Sequence, residues 1–170
     1  MGNEERILII AEAGVNHNGD LELAREMVRK AREAEADYIK FQTFIPGELV
    51  TACAEKADYQ KRESPGNNSQ LEMLEQLALP KQAFLELKEY CDRLGIGFLS
   101  THFDLRSIDF LAGLDMDYWN VPSGEITNLP YLEKIAGTGK KILLSTGMSE
   151  LWEIQAALDI LEENGSGDVT

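Results

Sequence analysis

A short apolar run, a knot of polar residues, then an amphipathic helix: this unit recurs five times and confines the chain to the α/β classes. The runs are Ile7–Ala11, Tyr38–Phe41, Ile96–Leu99, Tyr118–Val121 and Ile142–Leu144. After them come Glu12 with Asn16-His17-Asn18, Lys40 with Gln42, Ser100-Thr101-His102 with Asp104, Ser123 with Glu125, and Ser145-Thr146. Runs of three to five residues are strand-length, and repeated strand–helix units build parallel sheets whose chemistry gathers at the strand C-terminal ends. The intervening helices are legible from spacing and caps. Asp20 begins one that reaches about Glu35 and buries Leu21, Ala24, Val28 and Ala31. Another covers Lys81–Leu94, with Phe84, Leu87, Cys91 and Leu94 on one face and Gly95 closing it. Asp104 caps a short helix bearing Ile108, Leu111 and Ala112. Pro130 opens one with Leu132, Ile135 and Ala136 that stops at Gly137, and Ser149 starts the last, with Leu151, Ile154, Leu158 and Leu161 inward.

Two architectures accommodate five such units in one domain: an open five-stranded parallel sheet, or the first part of a (β/α)8 TIM barrel, which needs eight units in about 250 residues. Five staves of a barrel leave two unpaired edges. Between Thr43 and Asn68 runs a stretch without clean period, containing Pro46-Gly47 and Ser64-Pro65-Gly66-Asn67-Asn68. Loops longer than ~12–15 residues in compact domains are usually functional or disordered, and this one, following the second strand, is a candidate lid. Carboxylates outnumber lysine plus arginine by 30 to 16, for a net charge of −14. That balance argues against nucleic acid and anionic membranes as partners. No run approaches the ~18 apolar residues of a membrane span, and the N-terminus lacks a secretory pattern, so the expected location is cytoplasmic. Cys53 and Cys91 are too few for a disulfide framework, and Cys91 falls on an apolar helix face as a buried thiol.

In so acidic a chain, an anionic substrate has to be held locally by a few cations. Lys40 interrupts an apolar strand, and Gln42 shares its face. Either it is an edge lysine turned to solvent, or it points into a barrel mouth to hold a phosphate or carboxylate. Glu12 ends an apolar run, where an unpaired charge is costly; it suits acid/base chemistry, orienting a water, or neutralising Lys40. His17 reads as a turn residue or a support for others. Ser123-Gly124-Glu125 and Ser145-Thr146-Gly147 each put a hydroxyl and a glycine where a strand turns toward a helix, as in oxyanion cradles. Two such turns together with Lys40 favour phosphate binding. No nucleophile elbow, dinucleotide fingerprint or Walker loop is present. Trp119 and Trp152 read as core or rim aromatics.

Five of these stretches, in order, resemble the sialic acid synthases, a group that includes N-acetylneuraminate, legionaminate and pseudaminate synthases. They are Ile-Ala-Glu-Ala-Gly-Val-Asn-His-Asn-Gly-Asp (10–20), Ile-Lys-Phe-Gln-Thr-Phe (39–44), Phe-Leu-Ser-Thr-His-Phe-Asp (98–104), Pro-Ser-Gly-Glu-Ile-Thr-Asn (122–128) and Leu-Ser-Thr-Gly-Met (144–148). The stretches 56–60 and 69–74 look like the bacterial neuraminate and legionaminate branches. The resemblance implies a TIM barrel that condenses phosphoenolpyruvate with the open-chain aldehyde of an N-acetylated mannosamine-type amino sugar, with a divalent metal (manganese or magnesium) polarising the aldehyde. By motif, Lys40, Gln42, Thr101, Ser123 and Ser145 would hold phosphoenolpyruvate, Glu125 and Asn67 would meet the sugar, and Glu12 would assist proton transfer; Glu12, Lys40 and Glu125 form the expected catalytic set.

Three departures accompany the resemblance. Asn120 stands where the family has a lysine, which should weaken phosphate binding by ~1.5–3 kcal/mol. His102 replaces a proline, leaving two roles open: a compensating positive charge or a solvated loop residue. The chain also stops about where the sixth strand should begin, short of the metal-binding histidines and of the antifreeze-like domain that domain-swapped homodimers of the family exchange. His17 and His102 do not match those ligands, so no metal ligand is assigned. A catalytically inactive family remnant is the alternative reading. A Schiff-base aldolase is disfavoured, because Lys140-Lys141 precede their strand rather than end it.

Overall fold

The computed structural model describes residues 7–52, 54 and 69–170. Its strands are β1 (Ile10–Gly14), β2 (Tyr38–Thr43), β3 (Gly97–His102), β4 (Tyr118–Val121) and β5 (Lys141–Leu144). Its α-helices are α1 (Leu21–Glu33), α2 (Pro46–Leu49), α3 (Gln70–Leu77), α4 (Lys81–Leu94), α5 (Leu105–Leu111), α6 (Leu129–Ala136) and α7 (Leu151–Glu163), with 3-10 turns at Ala112–Leu114 and Ser123–Glu125. The strands pair in parallel and in chain order, β1–β2–β3 in one ladder and β4–β5 in a second. Side chains of β3 and β4 join the ladders: Thr101 hydrogen-bonds to Asn120, and the His102 ring meets Trp119 edge-on. Five consecutive parallel staves, each followed by helix, form an arc of a (β/α)8 barrel. The arc begins a sixth stave, since Ile142 N–H donates to Asp168 O, Thr170 N–H to Ile142 O and Leu144 N–H to Thr170 O, each at 2.9 Å.

Alternation along the strands sorts the two faces. In β2, Ile39, Phe41 and Thr43 are buried, whereas Tyr38, Lys40 and Gln42 are half-buried on the opposite side. Ile39, Phe41, Phe98, Trp119, Val121 and Ile142 join Ala24, Val28, Leu87, Cys91, Ile108, Leu132, Ile135 and Leu161 from the helices in one core. Burying a Val, Leu, Ile or Phe side chain stabilises by about 1.5–3 kcal/mol, which is why Ile39 and Phe41 of β2 turn to the helices and leave Lys40 and Gln42 inward. The Cys91 thiol is fully buried, and desolvation pushes its pKa up to about 12; Cys53 lies outside the described residues.

Helix boundaries follow the local signals closely. The Asp20 carboxylate accepts the Glu22 and Leu23 N–H groups, Gly95 closes α4 in the left-handed conformation at φ +67°, and Asp104 caps α5 through Ser107 N–H. Three expectations need correction. Strand β1 starts three residues after the apolar run begins, because its ladder opens at Ile10↔Tyr38; Ile7 is left 82% exposed and Glu12 sits within the strand. Strand β3 runs on through Ser100, Thr101 and His102, which pair with Phe41, Gln42 and Thr43, so that knot is strand rather than loop. Helix α7 is capped at Glu150, whose N–H donates to Glu153 Oε2 at 2.7 Å, and it buries Ala157 and Leu161 while Leu151 and Trp152 are exposed.

The turn after β1 is anchored against α3. Gly19 has φ +76°, and a Cβ there would lie 2.4 Å from the backbone carbonyl oxygen of Gln76. Backbone cannot yield as a side-chain tip does, so Gly19→Ala is expected to destabilise the fold by about 2 kcal/mol, read from urea unfolding. An unchanged midpoint would show that this contact is not maintained.

Candidate active site

Inward-facing polar side chains form a continuous row across the strands. Lys40 on β2 pairs with Glu12 on β1, its register neighbour, with Nζ 2.5 Å from Oε2. The same ammonium donates to Thr101 Oγ1 on β3 at 3.2 Å. Thr101 donates to Asn120 Oδ1 on β4 at 2.8 Å, and Asn120 Nδ2 donates to the Leu143 carbonyl at 3.0 Å and to Ser145 Oγ, just beyond β5, at 3.2 Å. Lys40 is therefore no edge lysine turned to solvent. Of its three N–H groups, two are engaged, and one has no protein partner among the described residues.

Around this row stand the other expected residues. Gly14 has φ +56°, and a Cβ there would lie 3.3 Å from Glu12 Oε1 and 3.6 Å from Gln42 Nε2, so Glu12 and Gln42 border the same spot. Ser123 opens the 3-10 turn after β4, with its hydroxyl beside Gly147 of the next turn (3.5 Å from where a Cβ would be), which brings the two hydroxyl–glycine turns together. Glu125 in that turn accepts from Asn128 Nδ2 at 2.6 Å, which holds its carboxylate at the rim. Asn67 lies outside the described residues. Thus Glu12, Lys40, Gln42, Thr101 and Ser145 converge, with Ser123 and Glu125 on the adjoining turns.

Neither histidine faces the row. His17 is buried in the turn after β1; its Nδ1 accepts Gly19 N–H at 3.1 Å, its ring lies 6.0 Å from Phe41, and desolvation lowers its pKa. His102 is fully buried on the helix side of β3, between Trp119 and Tyr131 of α6. Tyr131 O–H donates to the His102 carbonyl at 2.9 Å, and its oxygen meets His102 Nδ1. Burial lowers the His102 pKa to about 3, leaving the ring neutral. Both open roles for His102 are thereby corrected: it supplies no positive charge and is not a solvated loop residue. Asp104, placed among the polar knots by its position, is structural; it caps α5 and accepts Ser107 Oγ–H and Ile45 N–H.

Residues 27–170 match the family model described as the NeuB family. The chain belongs to the NeuB family. It is 49% identical over 162 residues to N,N'-diacetyllegionaminic acid synthase of Campylobacter jejuni, covering 95% of this chain and 48% of that protein. It is 48% identical to the protein of the same name from Legionella pneumophila, covering 95% of this chain and 45% of that one, so the chain spans a little under half the length of these relatives. Human N-acetylneuraminate-9-phosphate synthase is 33% identical, with coverage of 95% and 45%. Among solved structures, N-acetylneuraminic acid synthetase from Leptospira borgpetersenii in complex with citrate superposes with a TM-score of 0.81 at 29% identity, over 99% of this chain and 56% of that one. A DAHP synthase from Thermotoga maritima, at 15% identity and TM-score 0.68, shares the fold.

This NeuB family chain holds its row on the inward face of barrel strands, where the fold gathers chemistry. The divalent metal that the resemblance implies has no fitting residues here: among the described residues no three His, Cys, Asp or Glu side chains converge, and both histidine rings are buried away from the row. What sequence reasoning undervalued is Asn120. It appears there only as a missing lysine, yet it links three strands, and its inward alternation with Tyr118 was the available signal.

Proposed function

We propose that the protein carrying this chain condenses phosphoenolpyruvate with the open-chain aldehyde of an N-acetylated amino sugar, forming a nonulosonic acid and releasing phosphate. The observation that carries this reading is the row Glu12–Lys40–Thr101–Asn120–Ser145 on one inward face. It offers one ammonium and a hydroxyl to an anion, with a carboxylate beside them. In this reaction C3 of phosphoenolpyruvate bonds to the aldehyde carbon, water adds at C2, and the C2–O bond then breaks to expel inorganic phosphate. Lys40, Gln42, Ser123 and Ser145 hold phosphoenolpyruvate; Thr101 stands behind Lys40. In this reading Glu12 takes the proton of the incoming water, and Glu125 with Asn67 meets the sugar.

The names of the two relatives at 49% and 48% identity favour a sugar with two acetamido groups over N-acetylmannosamine. Location in the cytoplasm belongs to the same proposal; no helix among the described residues is long and apolar enough to cross a membrane. Phosphate release from phosphoenolpyruvate, assayed with manganese and either sugar, tests it on the complete polypeptide. Release dependent on the diacetamido sugar is expected. Tight phosphoenolpyruvate binding without release would leave a binding remnant instead. Residues 1–170 assayed alone are expected to release none, and robust turnover by them would overturn the view that further residues complete the site.

A further inference from the structure

The direction of every hydrogen bond in the row is determined, and it separates two hydroxyls that look equivalent in the sequence. The Leu143 carbonyl only accepts, so the Asn120 atom 3.0 Å from it is the amide nitrogen. The amide oxygen therefore faces Thr101 and takes its hydroxyl proton at 2.8 Å. The Thr101 oxygen in turn accepts from Lys40, an ammonium with nothing but donors. Thr101 has no proton left for an anion. Ser145 is the reverse: Asn120 Nδ2 donates to its oxygen at 3.2 Å, and its own proton, at an exposed position, has no protein acceptor among the described residues and is free for a ligand.

We propose that Asn120 is a positioning residue that makes Ser145 the hydroxyl donor to phosphoenolpyruvate and turns Thr101 into a support for Lys40. This rests on the reading above that phosphoenolpyruvate is the anion bound here. A lysine at position 120 has no acceptor for the Thr101 proton and would release it toward the ligand. Asparagine in place of lysine thus removes two donors from the anion, the lysine cation and the Thr101 hydroxyl, and leaves Lys40 and Ser145, with Gln42 and Ser123, to carry the contact. A neutral amide in place of a lysine is in this way more than a lost charge.

The test is calorimetric titration of phosphoenolpyruvate into the complete polypeptide that carries this chain. Ser145→Ala is expected to weaken binding tenfold or more, and Ser145→Thr, which restores the hydroxyl, to recover most of it. Thr101→Val should weaken binding clearly less than Ser145→Ala. Asn120→Leu should cost about tenfold in the native background but less than twofold once Ser145 is alanine, because its effect runs through that hydroxyl. Thr101→Val costing as much as Ser145→Ala would overturn the proposal, as would independent, multiplicative effects of Asn120→Leu and Ser145→Ala. Ser145 is exposed, so its substitution leaves the fold intact and keeps the comparison with Thr101 decisive even where Asn120→Leu fails to fold. Binding unchanged by Lys40→Ala would instead refute the phosphoenolpyruvate reading itself, whereas a sensitive Lys40 with the two hydroxyls in reversed order refutes only the assignment of Asn120.

Discussion

Lys40→Ala is expected to abolish measurable phosphoenolpyruvate binding. The substitution removes the ammonium that lies 2.5 Å from Glu12 Oε2 and 3.2 Å from Thr101 Oγ1. Losing one charge-assisted hydrogen bond to the ligand costs about 1.5–3 kcal/mol. Glu12, no longer neutralised, then adds like-charge repulsion against an anion within a chain of net charge −14. Together these effects are of order 4 kcal/mol, roughly a thousandfold in dissociation constant. A double substitution, Lys40→Ala with Glu12→Gln, should recover part of the loss by removing that repulsion. Titration of phosphoenolpyruvate into both variants measures this, and native-like affinity in Lys40→Ala would leave the row without a function in anion binding.

Acid should destabilise this fold through His102 in particular. Its ring is fully buried among Trp119 and Tyr131, and desolvation, only partly opposed by its backbone hydrogen bond and Asp104, holds its pKa at about 3 against 6.5 in the unfolded chain. Between those values the unfolded state binds the proton and the folded state does not, so stability rises with pH across this window. The neutral ring's contribution is complete above about pH 6.5 and is lost as pH falls toward 3. At 1.36 kcal/mol per unit, the loss is about 2 kcal/mol near pH 5 and of order 4 kcal/mol by pH 3. The many carboxylates titrate too, so the measurement is the difference between the native protein and His102→Gln in thermal unfolding from pH 7 to pH 4. The native protein should lose stability faster over that range, and parallel curves would refute the buried neutral imidazole.

The helices were legible because their signals are local. Lys81–Leu94 shows its apolar spacing and its terminal glycine within one segment, and the α4 boundaries match them. Lys40 and Gln42 were readable as one face because strand alternation needs only two residues to declare itself. Strand ends were less legible. Where β1 begins depends on which residue meets Tyr38, and β3 carries polar residues to its end because Thr43 and Ser100 satisfy each other at 2.6 Å and Tyr131 covers His102. Leu151 misled for a related reason: its spacing fits the apolar stripe, but α7 presents Ala157 and Leu161 to the core and leaves the first turn outside.

From its sequence alone, this protein is committed to repeated strand–helix units with a lysine, carboxylates and hydroxyls at the strand ends, since period and capping act within a few residues. Only the tertiary structure decided what those groups do to one another. The Thr101 proton is taken up while the Ser145 hydroxyl only accepts, because a carbonyl on a neighbouring strand, Leu143 O, orients the Asn120 amide between them. His102 is neutral because α6 closes over it. Hydrogen-bond polarity and desolvation are properties of groups distant in the chain and close in space, so they exist only once the strands lie side by side.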